Sequence, residues 1–189
     1  HMGYNNQQEN TKGGTRHHLP AFFHPKRKEK LELHWTIQGL FWKFNIDLEG
    51  IWERAKAVRK DGIDMLVFSL EDLLLHLSLH AVYHHKLMDM GLMPYCDIAT
   101  IINHYSREFD WDQLQARARE WGIAKYLNLS LCLSHEILGV KVPENILRDF
   151  RAEPLNNNVV SEANKRILSV TAQKSPYSGV PYPFSESFY

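Results

Sequence analysis

The segment from Ser69 to Leu87 constrains the fold more than any other. Leu70, Leu73, Leu74, Leu75, Leu77, Leu79, Val82 and Leu87 leave no continuous polar stripe, so a helix over about residues 70–90 is apolar nearly all round. A helix of that kind belongs at the buried centre of a bundle, with other helices covering it. Ser69 suits its N-cap, and Asp72 stands at the capping-box position.

Covering helices follow along the chain. Pro94 suits the first turn of a helix over about residues 94–105, with Ile98, Ile101 and Ile102 inward. Asp110 caps another, with Gln113 at its N3 position, and Gly122 suits the left-handed position after Trp121. Residues 123–138 form one more amphipathic helix through Leu127, Leu131 and Leu138, stopped by Gly139. Pro143 starts a short helix running to about Phe150. Before the central helix, residues 46–60 place Ile46, Trp52, Ala55 and Val58 at loosely helical spacing, ending near Asp61-Gly62. Residues 63–68 are a short strand or an extended lead-in. After Pro154 the pattern weakens to a modest helix over 160–173, and the tail from Ser175, rich in Pro, Tyr and Phe, is expected to be irregular. Trp35, Trp52, Trp111 and Trp121 are expected to face inward.

Near the N-terminus the period changes from helical to two. Leu31-Glu32-Leu33-His34-Trp35-Thr36-Ile37 alternates and is rich in β-formers, which predicts one half-buried strand. Leu31, Leu33, Trp35 and Ile37 would face the core, and Glu32, His34 and Thr36 the other side. His17 to Phe23 reads as a second short strand ended by Pro25, with Lys26-Arg27-Lys28-Glu29-Lys30 as a solvated hairpin loop. The predicted fold is mainly α (α+β): a short antiparallel β-hairpin near residues 17–37 packed on a five- to six-helix lobe. Residues 1–16 are expected to be a flexible segment opening on a tag remnant, His1-Met2. Residues 17–45 are the β portion, 46–150 the helical lobe and 151–189 a weakly structured extension.

Composition narrows the function classes. Of 189 residues, 44% are apolar, enough for a sizeable core, while 22 basic and 22 acidic residues balance. Neither nucleic acid nor an acidic membrane surface is favoured by that charge. No apolar run reaches the roughly 18 residues of a membrane span. Cys96 and Cys132 lie in apolar helical patterns and read as buried thiols of a reducing compartment, so a cytoplasmic location is expected.

Histidine is abundant, at 11 residues, and three recur every four positions: His76, His80 and His84. Each step of four turns a helix by about 40°, so the three share a face with metal-capable spacing. No His-Glu-x-x-His pattern is present, so zinc-protease chemistry has no support. The expected role of His76 and His80 is packing in the bundle, with Asp97 on the following helix as a partner for His80. A substrate-pocket role for His76, His80 and Asp97 is the functional reading, and a histidine metal site is a further alternative. His135-Glu136 reads as the polar face of its helix. No Ser or Cys has a neighbouring base to activate it, and no glycine-rich phosphate loop is present.

Several segments together carry a family resemblance. They are His17-His18-Leu19-Pro20, Leu31-Glu32-Leu33-His34-Trp35, Leu70-Glu71-Asp72-Leu73-Leu74-Leu75-His76-Leu77, Cys96-Asp97-Ile98-Ala99, Phe109-Asp110-Trp111-Asp112 and Ala118-Arg119-Glu120-Trp121-Gly122. In order and spacing, over roughly residues 15–150, they resemble a poorly characterised bacterial nucleotidyltransferase family of the polymerase-β-like superfamily. The resemblance implies transfer of a nucleoside monophosphate from a Mg²⁺-bound NTP to an acceptor of unknown kind. In that superfamily an Asp-x-Asp pair follows a Gly-Ser turn, and a neighbouring strand adds a third carboxylate. Glu32 would stand at or near the third position, binding Mg²⁺, with His34 beside it.

No Gly-Ser…Asp-x-Asp motif precedes Glu32, and only about thirty residues stand before it. The later Asp61-Gly62-Ile63-Asp64 has its carboxylates three apart, on opposite faces of a strand, and in the wrong order. The resemblance therefore implies the C-terminal portion of such an enzyme, inactive alone. A second reading is a non-catalytic helical module that forms homo-oligomers through an exposed sheet edge and the Phe41-Trp42 patch.

Overall fold

The computed structural model describes residues 5–6, 19–37, 43–85, 87, 90–152 and 154–172. Three strands open the chain: β1 (Asn5–Asn6), β2 (Phe22–His24) and β3 (Glu29–Leu31), antiparallel in the order β1-β2-β3. Pro25 to Lys28 make the β2–β3 turn, where Lys28 takes a positive φ of 56° and the His24 imidazole accepts from the Arg27 amide. The hairpin falls within residues 17–37, but β3 begins at Glu29, inside the expected loop, and shares only Leu31 with the alternating segment. Its second strand is shorter than expected, because regular pairing ends at Leu31. Beyond it, the Leu19 amide still donates to the Leu33 carbonyl at 2.8 Å.

The inward face predicted for that strand is largely absent. Leu31, Leu33 and Trp35 are exposed, Trp35 at 57%, and only Ile37 packs against the helical core. Alternation defines two faces, but the few short strands here form no layer wide enough to bury either.

Residues 46–60 also differ from the single helix expected. Helix α1 (Leu48–Glu53) is short, capped by Asp47, whose carboxylate accepts from the Gly50 amide at 2.8 Å. Strands β4 (Lys56–Lys60) and β5 (Ile63–Val67) then form a second antiparallel hairpin. Asp61 (φ 52°) and Gly62 (φ 79°) both lie in the left-handed region, the requirement of a tight I′-type hairpin turn. That turn chemistry, flanked by β-branched residues on both sides, outweighs the loose helical spacing. Trp52, expected inside, is 70% exposed.

The remainder is helical: α2 (Leu70–Leu79), continued by a π-turn over His80–His84, then α3 (Met93–Tyr105), α4 (Trp111–Glu120), α5 (Ala124–Leu138), α6 (Glu144–Arg151) and α7 (Pro154–Ala172). Helix α2 starts as expected, with the Ser69 hydroxyl accepting from the Asp72 amide. Asp110 caps α4 by accepting from the Gln113 amide, and Gly122 and Gly139 end α4 and α5 at φ 74° and 69°.

The centre is shared differently from the expectation. Helix α2 buries Leu74, Leu75 and Leu79 against α3, α4 and α5. The hub, however, is α5, which touches α2, α3, α4, α6, α7 and the π-turn and buries every residue from Leu129 to Ser134. Helix α7 begins at Pro154 and adds Val160, Ala163 and Ile167 to the core. Of the tryptophans, Trp121 is buried and Trp111 packs against the core. Phe41 and Trp42, and the tail from residue 173, lie outside the described residues.

One polar cluster sits inside this core. The Asp72 carboxylate, fully buried, accepts from Arg54 Nε at 2.9 Å, Arg117 Nη1 at 2.9 Å and the Ser69 hydroxyl at 2.9 Å. Arg117 donates further to Gln113, and Arg54 reaches Asp47. The cluster ties the end of α1 and the start of α2 to the later part of α4. A carboxylate between two guanidinium groups, with its lone pairs satisfied, avoids the cost of a lone buried charge.

Candidate functional site

Two groups of side chains carry the chemistry that the sequence singled out. The first follows β3. Glu32 and His34 share a side, as alternation requires, and both are partly exposed: Glu32 Oε1 accepts from Lys30 Nζ at 2.7 Å, and His34 Nε2 is 3.8 Å from Glu32 Oε2. The Glu32 carboxylate thus stands between an ammonium and an imidazole and remains accessible to solvent.

The second group is at the end of α2. His76 packs beside Phe68 and His80, and His80 stacks on His84 with ring centres 5.1 Å apart and planes within 10°. His85 completes the group edge-on to both His80 and His84. Burial comes first in lowering the pKa of the His80 imidazole to about 3, followed by the charges of His85, His76, His84 and His34. His80 is therefore neutral at neutral pH. Because His34 is one of the charges acting on His80, the two groups lie within electrostatic reach of each other.

The structure does not join His80 to Asp97. Asp97 on α3 has no hydrogen bond or ion pair among the described residues, and half-burial alone raises its carboxyl above the ordinary range. On the same helix the Tyr95 hydroxyl is buried with no hydrogen-bond partner among the described residues, and burial holds its phenol protonated.

The other carboxylates are used structurally. Asp64 pairs with Arg59 across the β4–β5 hairpin and is largely exposed, while Asp61 forms the turn. Asp110-x-Asp112 has the two-residue spacing of a metal pair, but Asp110 is occupied as the α4 cap. Glu136, expected on a polar face, accepts from Arg151 on α6 and Asn164 on α7, so it clasps three helices. His135 bonds the Val140 carbonyl at the end of α5.

The Mg²⁺ that nucleotidyl transfer implies is poorly served by these residues. Among the described residues, the sole set of three or more His, Cys, Asp or Glu ligand atoms close enough to hold an ion is His80, His84 and His85. No second and third carboxylate converges with Glu32, and hard Mg²⁺ prefers oxygen ligands to imidazole. A two-metal centre would therefore require carboxylates from outside this set.

The sequence singled out Glu32, His34, His76, His80 and His84, and the structure places the last three in one histidine cluster. Sequence reasoning did not group His85 with His80, because a regular helix carries residue 85 away from residue 80. It also missed Arg54 and Arg117 as partners of Asp72, since nothing local links positions so far apart in the chain.

The chain matches the model of the family described as uncharacterised nucleotidyltransferase over residues 1–139. It belongs to that family and is a nucleotidyltransferase-like protein. No curated protein and no solved structure matches it.

Proposed function

We propose that these residues form the helical lobe and one carboxylate-bearing segment of a nucleotidyltransferase whose Asp-x-Asp pair comes from an upstream segment or another subunit. Family membership across residues 1–139, which includes Glu32 and the helices through α5, carries this reading. Glu32 would be the third carboxylate of the completed centre, and His34 would orient it. Half-buried His76, His80 and Asp97 would help hold the nucleotide or the acceptor. The completed protein would transfer a nucleoside monophosphate from an NTP, and the chain alone would be inactive. No helix among the described residues is long and apolar enough to cross a membrane.

The test is incubation of the chain with labelled NTPs, Mg²⁺ and a panel of small-molecule and protein acceptors. The expected result is no transfer by the chain alone, and Mg²⁺-dependent transfer when an Asp-x-Asp segment of the family is supplied. Robust turnover by the chain alone that Glu32→Ala abolishes would overturn the division of the site.

A second reading, a helical module that self-associates, is favoured by one observation. Leu31, Leu33 and Trp35 beside the first sheet are exposed, as are Val58, Ile63, Met65, Leu66 and Val67 along the β4–β5 hairpin. Exposed apolar strands with open edges invite pairing with another chain. Sedimentation equilibrium decides it: a strictly monomeric mass at high micromolar concentration removes this reading.

A further inference from the structure

In a regular α-helix three histidines spaced by four, such as His76, His80 and His84, share a face, whereas a residue five positions on is turned away by about 140°. The chain departs from that geometry at His80. The His85 amide donates to the His80 carbonyl at 3.0 Å, an i→i+5 bond, and residues His80–His84 form a π-turn. Widening the turn in this way brings residue i+5 back over residue i, so both His84 and His85 come alongside His80. The ring contacts record the result: His80–His85 at 4.5 Å, His84–His85 at 4.8 Å and His80–His84 at 5.1 Å between centres. One ligand nitrogen from each of the three lies within 4.8 Å of the others, while His76, which has the regular helical spacing, is outside the set.

We propose that His80, His84 and His85 bind a transition-metal dication of the Zn²⁺ class, with the π-turn as the device that assembles the three imidazoles. Nitrogen ligands about 2.0 Å from a tetrahedral ion stand roughly 3.4 Å apart. The present spacing, within 4.8 Å, exceeds that value by about 1.4 Å at most, a gap that side-chain rotation would have to close. An all-imidazole set selects Zn²⁺, Ni²⁺, Co²⁺ or Cu²⁺ over Mg²⁺ and Ca²⁺, which take oxygen ligands. Three protein ligands leave one coordination position for water or an anionic ligand. The site does not use Glu32 but shares His80 with the nucleotidyl-transfer reading; metal retention and transfer are separate readouts, and either can fail alone.

The experiment is equilibrium dialysis of the full chain against Zn²⁺, and separately Mg²⁺, followed by elemental analysis, with His85→Ala and His76→Ala in parallel. The expected result is one tightly retained Zn²⁺ in the parent, no retained Mg²⁺, and affinity within about threefold of the parent in His76→Ala. His85→Ala should lose more than about tenfold, the lower end of what removing even an outer-shell partner costs. Equal retention by His85→Ala and the parent would show binding by other histidines and overturn the site, as would the absence of stoichiometric Zn²⁺. Loss in His76→Ala with retention in His85→Ala would replace it with the regular helical set. Circular dichroism checks the fold of each variant. Should His85→Ala unfold, X-ray absorption of the Zn²⁺-loaded parent decides: three imidazole nitrogens at about 2.0 Å support the site, and an oxygen-dominated shell overturns it.

Discussion

Asp72 shows how much one residue can organise. Its carboxylate is the shared acceptor of Arg54, Arg117 and Ser69 in the interior, and its amide completes the cap of α2. Removing the charge leaves Arg117, which is nearly buried, without its counter-ion. Breaking a buried pair from one side costs about 3–5 kcal/mol. Asp72→Asn is expected to lose an amount in that range, read from urea denaturation, while Asp64→Asn on the exposed hairpin should lose less than about 1 kcal/mol. Asp97 gives a pH-dependent counterpart. Burial raises its carboxyl in the folded chain, so the folded state keeps this proton to higher pH than the unfolded state. Its contribution is fully present below the ordinary aspartate value and is lost as pH rises through the raised folded value. Asp97→Asn should therefore melt above the parent at pH 7, with the gap closing toward about pH 3. A gap that widens in acid would contradict the sign.

At the scale of elements, the ends of helices were the most legible part of the chain. Ser69, Asp110, Gly122 and Gly139 each act where their chemistry predicts, because caps and left-handed stops depend on a few neighbouring residues. A side chain added at Gly139 meets no atom within 4 Å, so the cost of Gly139→Ala comes from its φ of 69° alone. That cost is about 1–2 kcal/mol, and Gly122→Ala at φ 74° should match it in thermal denaturation. The less legible elements were those where two periods compete. Residues 46–60 spaced their apolar residues loosely enough to read as a helix, yet Asp61-Gly62 closes a hairpin there. The π-turn was not legible at all, since an inserted residue in a helix leaves no distinctive local composition.

For the molecule as a whole, α5 is the element on which the other helices depend. Leu131 at its middle is completely buried. Leu131→Ala is expected to cost about 2–5 kcal/mol through lost burial and the cavity left behind, measured by chemical denaturation. Leu138→Ala at the partly exposed end of the same helix should cost much less.

The sequence by itself determined the class of fold, the capped helix ends at Ser69, Asp110, Gly122 and Gly139, and the family, because these rest on periodicity, capping chemistry and the order of short motifs. Alternation also singled out Glu32 and His34, which stand beside each other just past β3. Tertiary structure alone decided which helix is the hub, that Arg54 and Arg117 meet on Asp72, that Asp97 stands apart from His80, and that His85 joins His80 and His84. The physical reason is common to all four. Each depends on how elements distant in sequence, or one altered turn, place side chains in space, and no local pattern encodes that placement.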